Sequence, residues 1–103
     1  MVEPFVINDY DLDGTRVIKV AGEIDAATAP QLAESLERCS GMSVCVDLAE
    51  VTFIDSSGLA VLSRAHKRAD ETGGEFSVKN PAANVRKAFE ITRLDHLLTL
   101  EQN

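Results

Sequence analysis

The stretch that decides the fold reads Val51-Thr52-Phe53-Ile54-Asp55-Ser56-Ser57-Gly58-Leu59. An apolar run ends at an acidic residue, two hydroxyl side chains follow, and a helical pattern starts at once. Asp55 occupies the position of a helix N-cap, because its carboxylate can accept hydrogen bonds from the free amides of the first turn. Ser56 and Ser57 then fall in that turn, near the positive end of the helix dipole, where an attached anion is tolerated. The stretch therefore predicts a site that can carry a phosphate.

The helix that follows this stretch has one apolar face. Its inward positions recur at steps of three and four residues, at Leu59, Leu62, His66 and Ala69. Gly58 leaves the backbone of the first turn uncrowded. We expect the helix to reach about Glu71 and to stop at the glycine pair that follows. His66 is expected to be a packed or rim residue of this helix.

Strands and helices alternate through the rest of the chain. Asp13-Gly14 is a hairpin-type turn signal, so the first two strands are predicted to be antiparallel neighbours. Alternating apolar patterns predict strands over residues 5–11, 15–21, 43–48, 75–79 and 96–100. Helical patterns follow the second, third and fourth of these strands. This order favours an α/β fold, with helices packed against a mixed β-sheet of four to five strands.

Two further helix starts have recognisable capping signals. Thr28 and Gln31 form a capping-box pattern, and Pro30 is tolerated in a first turn. That helix should place Leu32 and Leu36 inward and run to about Arg38, with Gly41 as its terminator. Asn80-Pro81 has the form of N-cap and N1 of the last helix, whose inward residues are predicted to be Val85, Ala88 and Phe89.

The composition is that of one globular domain. The chain has 103 residues, 45% hydrophobic and 26% charged, which fits a single domain spanning residues 1–103. The formal net charge of -7 argues against nucleic acid as a partner, since binding to phosphate relies on surplus Lys and Arg. The sequence has no apolar segment of signal-peptide or membrane-span length, so we expect a cytoplasmic protein without direct membrane contact.

The two cysteines do not predict a metal site. Cys39 and Cys45 lie six residues apart and lack a second pair or a His cluster. Cys45 falls in an apolar strand pattern, so we expect a buried small hydrophobic residue there. The sequence thus predicts neither a metal nor a cofactor.

Enzymatic interpretations of the decisive stretch fit less well. A nucleophile elbow needs a glycine two residues before the serine, where this chain has Ile54, and only His66 and His96 are available as a base. The glycine-rich phosphate loops of nucleotide-binding proteins are missing. An aspartyl-phosphate receiver would place Asp55 beside an earlier acidic pair, and Asp25 supplies one carboxylate only. We therefore expect a protein that is not an enzyme.

Asp25 has two open interpretations. It can accept hydrogen bonds from backbone amides before the first helix, or it can contact a partner protein, and the two roles can coexist. Ser56 and Ser57 likewise can support the start of their helix without carrying a phosphate.

Two blocks of the sequence resemble the STAS domain family, specifically the stand-alone anti-sigma factor antagonists of bacteria. The first is Gly22-Glu23-Ile24-Asp25 with Pro30 and Leu32, and the second is Val46-Asp47-Leu48 with residues 53–59. A looser third block covers Gly73-Gly74, Asn80-Pro81, Val85, Phe89 and residues 91–97. The likeness spans nearly the full chain.

The resemblance implies a partner switch. In such proteins the unmodified antagonist binds an anti-sigma factor that is also a serine kinase, which frees the sigma factor. Phosphorylation of the serine after the acidic residue separates the complex, and a serine phosphatase resets it. Carried to this chain, the acceptor is Ser56, and the partner-binding residues are Asp25, Asp55, Ser56, Ser57 and Gly58. Monomer and weak dimer both stay open.

Other STAS domains keep the hydroxyls but act as scaffold subunits of transporters, lipid-transport complexes or stress-sensing assemblies. This is the alternative function that the resemblance implies.

Overall fold

The computed structural model describes residues 4–98. Within that range the chain forms four strands, three α-helices and one 3₁₀-helix. In chain order they are β1 (Val6–Leu12), β2 (Thr15–Ile24), α1 (Ala29–Glu37), β3 (Ser43–Ile54), α2 (Ser56–Thr72), β4 (Glu75–Lys79), α3 (Ala83–Ile91) and a 3₁₀-helix (Asp95–Leu97).

The four strands form one mixed sheet in the order β1-β2-β3-β4. β1 pairs with β2 antiparallel, while β3 runs parallel to both β2 and β4. The β1–β2 turn has positive φ at Asp13 (52°) and at Gly14 (84°), as a two-residue hairpin with the twist of its strands requires. The predicted hairpin and mixed sheet are confirmed.

One buried cluster joins the sheet to the helices. Ile18, Val46 and Val78 lie side by side in the register of β2, β3 and β4, so their side chains share one face of the sheet. They form a single core with residues of the three helices, which include Leu32, Leu62 and Phe89, each 0% exposed. The described chain is therefore one α/β domain, as the sequence predicts.

β3 is longer than the alternation predicts. It continues through Ala49 and Glu50 to Ile54 instead of ending at Leu48. The register with β2 shifts twice, between Lys19 and Ala21 and between Gly22 and Glu23, and at each shift β3 contains one more residue than β2. Such bulges add unpaired residues without ending the strand. The alternation of apolar residues is lost while the pairing with β2 continues. This explains why the predicted strand ends too early, at Leu48.

The predicted start of α3 is wrong. The helix begins at Ala83 after Ala82, and no side chain caps it. Asn80 has a positive φ of 62°, and its Nδ2 donates to Asp47 Oδ1 at 3.3 Å. Asp47 is only 9% exposed, so its carboxylate requires polar partners, and Asn80 supplies one. The tertiary contact thus takes the side chain that the local pattern assigns to a cap.

The prediction of a C-terminal strand is wrong at His96 and Leu97. His96 and Leu97 belong to the 3₁₀-helix and not to a strand. Leu98, the last of the described residues, makes a parallel bridge to Val78 of β4. Residues 99 and 100 of the predicted strand lie outside the described residues.

The cysteine prediction also needs correction. Cys45 is only half-buried, whereas Cys39 is 7% exposed and belongs to the core. Cys45 alternates with Val44 and Val46, which point into the core, and its own side chain therefore lies on the other face of the sheet.

Candidate functional site

The helix α2 begins directly at the end of β3, and Asp55 forms the junction. Asp55 has an extended backbone (φ -114°, ψ -171°), and its Oδ1 accepts from the amides of Ser57 at 2.9 Å and Gly58 at 3.3 Å. Two of the amides that a helix N-terminus leaves unpaired are satisfied in this way. The predicted N-cap is confirmed.

The three residues after Asp55 differ in exposure. Ser56 is the first residue of α2 and is exposed, Ser57 is half-buried, and Gly58 is buried. A Cβ atom at Gly58 would lie 2.5 Å from Ile24 Cγ2 and 2.8 Å from Ile54 Cγ1. Gly58 thus does not leave an open turn, since it lets α2 approach the ends of β2 and β3. Any effect of Gly58 on a partner acts through the position of the helix.

The loop after β2 holds the second acidic residue of the site. Asp25 Oδ1 accepts from the amides of Ala27 at 3.0 Å and Thr28 at 3.1 Å. This is the backbone-binding role that the sequence suggested for Asp25. The Thr28 hydroxyl donates to the Glu23 carbonyl at 2.8 Å and accepts from the Asp25 amide at 2.9 Å.

The Thr28–Gln31 capping box does not form. Thr28 precedes α1 in a helical conformation, and its side chain makes no cap hydrogen bond. Its hydroxyl is already engaged by the loop around Asp25, so it is not available to the helix. Pro30 lies in the first turn of α1, as predicted, and the inward positions Leu32 and Leu36 are buried.

The two acidic loops lie at the same edge of the sheet. β2 and β3 are parallel neighbours, so their carboxyl ends meet, and the Asp55 amide donates to the Ile24 carbonyl at 3.1 Å. Asp25 and Asp55 each bind backbone amides through Oδ1. Within residues 4–98 no donor lies on Oδ2 of either carboxylate, so both present an acceptor oxygen toward the surface.

The site has an acidic character. Residues 22–28 and 49–58 contain four acids and no Lys or Arg, namely Glu23, Asp25, Glu50 and Asp55. Glu50 has an ion pair with Lys19 at 3.6 Å, which partly balances its charge. The exposed Ser56 thus follows Asp55 directly at the start of a helix, next to the loop that carries Asp25.

Sequence reasoning missed one residue of this edge. Phe53 lies in the apolar run before Asp55 and is nevertheless 45% exposed. The bulge between Gly22 and Glu23 adds one residue to β3, so Val51 and Ile54 are both buried with Thr52 and Phe53 outside between them. The alternation alone carries no signal for this extra residue.

The geometry does not favour a hydrolase. His66 lies ten residues along α2 from Ser56, which corresponds to about 15 Å of helix. His96 packs against His66, with ring centroids 5.5 Å apart, and Phe76 flanks His66 at 6.4 Å. Neither imidazole is placed to activate the serine.

Residues 4–98 hold no group of three or more potential metal ligands, and none of their helices has the length and apolar content to cross a bilayer.

Comparison with known proteins identifies this arrangement. A family model described as "Mlab, STAS domain" matches residues 9–99. An anti-sigma-B factor antagonist of Listeria monocytogenes is 35% identical over 98 residues, covering 92% of this chain and 85% of that protein. The corresponding antagonist of Bacillus subtilis is 31% identical over 87 residues, covering 81% and 78%. The crystal structure of an anti-sigma factor antagonist from Mycobacterium paratuberculosis has a TM-score of 0.84 at 29% identity, covering 97% of this chain and 87% of that one.

The fold is that of a STAS domain, and the chain belongs to the STAS domain family. Within that family it belongs with the anti-sigma factor antagonists, a group of regulatory proteins. The resemblance seen in the sequence is confirmed.

Proposed function

We propose that the chain acts as a cytoplasmic antagonist whose unphosphorylated form binds an anti-sigma factor with serine-kinase activity and thereby releases a sigma factor. Phosphorylation of Ser56 ends the interaction, and a serine phosphatase restores it. The observation that carries this proposal is the exposed Ser56 at the start of α2, directly after Asp55, whose amide bonds to the residue before Asp25. The relationship to named antagonists supports the class of partner.

The acidic surroundings of Ser56 explain how a phosphate would act as a switch. Phosphorylation adds about -1.5 to -2 charges at neutral pH, next to carboxylates that already face the surface. A partner that fits a neutral hydroxyl would then meet a dianion that is poorly solvated in the interface. Each loss of about 1.4 kcal/mol lowers the affinity tenfold, so a modest repulsion is enough to separate the complex.

The other residues of the site have supporting roles in this proposal. Asp25 and Asp55 hold their loops through Oδ1 and offer Oδ2 to the partner, while Ser57 borders the contact. Gly58 has no side chain and so allows the start of α2 to pack closely on the ends of β2 and β3. The antagonist itself catalyses nothing and needs no cofactor, since the kinase supplies the ATP chemistry.

The scaffold alternative, in a transport or stress-sensing assembly, is less favoured because the relatives described above are named antagonists. The two functions predict different partners. A pull-down from native lysate recovers a small ATP-binding kinase if the chain is an antagonist, and transporter or scaffold components if it is not.

The direct test is to incubate the purified chain with candidate anti-sigma factor kinases and ATP and to map the modified residue by mass spectrometry. We expect one phosphate at Ser56, none in Ser56→Ala, and full modification of the control Ser57→Ala. Ser56→Ala should keep binding the kinase, and Ser56→Asp should bind weakly. Phosphate at Ser57 alone, with Ser56→Ala still modified, would contradict the assignment.

A further inference from the structure

Phe53 is an exposed aromatic side chain at the edge of the sheet where Ser56 lies. It is 45% exposed because the second β-bulge turns it out of the core, although the next residue, Ile54, is buried. An aromatic side chain held outside by a bulge leaves a large apolar area in water. Bulges near functional sites commonly redirect a side chain in this way.

Phe53 lies within reach of any protein that docks on Ser56. Three residues of extended chain span at most about 11 Å, so the two Cα atoms are no further apart than that. A standard interface covers about 800 Å² on each partner, which corresponds to a radius of about 16 Å for a circular patch. An interface of that size centred on Ser56 is therefore wide enough to reach Phe53.

The charges around Phe53 indicate the complementary surface. Glu23 is the register neighbour of Phe53 on β2, and Asp25 and Asp55 lie on the adjoining loops. Neither of the two segments that form this edge, residues 22–28 and 49–58, contains a Lys or Arg. A partner that buries the phenyl ring must also face these carboxylates, so it needs Lys or Arg side chains around an apolar pocket.

We propose that Phe53 is the apolar anchor of the interface around Ser56, and that the anti-sigma factor receives it in an apolar pocket bordered by basic side chains. This inference rests on the proposed function, since it names the contact made by the same partner. Aromatic anchors inserted in partner pockets dominate the affinity of many interfaces, whereas the surrounding charges set association rate and specificity.

The test uses the purified kinase that modifies the wild-type chain in the Ser56 assay. Its Kd for unphosphorylated wild type, Phe53→Ser and Phe53→Lys is measured by calorimetry at low and high salt. We expect each substitution to raise Kd at least about thirty-fold. In the phosphorylation assay KM rises while kcat stays near the wild-type value, because the anchor binds equally in the ground and transition states. Higher salt weakens wild-type binding because the basic side chains are screened.

The matched control is Leu12→Ser. Leu12 is 52% exposed and lies at the opposite end of the sheet. Its register neighbour Thr15 is eight residues from Glu23, the neighbour of Phe53, which corresponds to about 26 Å along β2. This substitution should change Kd less than about twofold. Thermal melts check that every variant is folded. If Phe53→Ser does not fold, Phe53→Lys provides the test. Wild-type affinity in a folded Phe53 variant would overturn the inference, while a wild-type chain that no kinase binds would contradict the proposed function instead.

Discussion

The Asp55 amide donates a hydrogen bond to the Ile24 carbonyl at 3.1 Å. This bond extends the pairing of β2 and β3 by one step beyond the strands, at the point where both chains leave the sheet. Asp25 follows Ile24 and Ser56 follows Asp55, so one backbone contact brings the Asp25 loop next to the start of α2. The site thus depends on the parallel register of two strands that lie far apart in the sequence.

The N-cap at Asp55 should stabilise the domain. Asp55→Ala removes the acceptor of two amides and is expected to lower the free energy of unfolding by about 1 kcal/mol. Asp55→Asn keeps an acceptor oxygen and should lose less. Urea denaturation followed by circular dichroism gives both values. Equal stability of Asp55→Ala and wild type would show that water replaces the cap at no cost.

Asp25 allows its two roles to be separated. Asp25→Asn keeps an oxygen that can accept from the Ala27 and Thr28 amides, but it removes the charge. We expect it to retain wild-type stability and to bind the kinase several-fold more weakly. Asp25→Ala should in addition lose about 1 kcal/mol of stability. Kinase titrations and urea denaturation are measured on the same samples, and unchanged binding by Asp25→Asn would restrict Asp25 to its backbone role.

Gly58 should not tolerate a side chain. Gly58→Ala places a Cβ within 2.8 Å of Ile54 Cγ1 and still closer to Ile24, in a position where α2 packs on the strand ends. Overpacking of this kind costs about 1–3 kcal/mol, which exceeds the gain in helix propensity of up to about 1 kcal/mol. We expect a net loss of unfolding free energy, measured by denaturation. Ser63→Ala on the same helix is the control, because it changes propensity without adding an atom.

Phosphorylation of Ser56 should leave the fold intact. Ser56 is exposed, and the helix dipole favours a nearby anion by about 0.3–1 kcal/mol, while Asp55 already occupies two of the amides and repels the phosphate. These effects oppose each other, so the free energy of unfolding should change by less than about 1 kcal/mol. Denaturation of the phosphorylated and unmodified chains measures it. A phosphorylated chain without a cooperative transition would mean that the switch works by unfolding.

The two thiols should differ in reactivity. Burial raises the pKa of the Cys39 thiol, so less thiolate is present there at a given pH, and the side chain is 7% exposed. Cys45 is half-buried and more accessible. At pH 8 iodoacetamide should therefore modify Cys45 first, as followed by mass spectrometry of the folded chain. Faster modification of Cys39 would contradict the expectation that the more buried thiol reacts more slowly. The control is the unfolded chain in urea, where the two thiols should react at equal rates.

The sequence by itself determined the order of the elements from β1 to α3 and the chemistry of the helix start. Asp55 as N-cap, Ser56 in the first turn, the Asp13-Gly14 hairpin and the inward Leu32 and Leu36 all follow from local rules. These features depend on backbone hydrogen bonds and side-chain periodicity within a few residues, so neighbouring residues are enough to predict them.

The tertiary structure decided what depends on residues far apart in the chain. Asn80 does not cap α3 but donates a hydrogen bond to the buried Asp47. Two bulges lengthen β3 and place Phe53 outside the core. The close packing at Gly58 and the approach of the Asp25 loop to Asp55 arise only when β2 and β3 pair. Register and burial are set by the packing of the whole sheet, so no local pattern contains them.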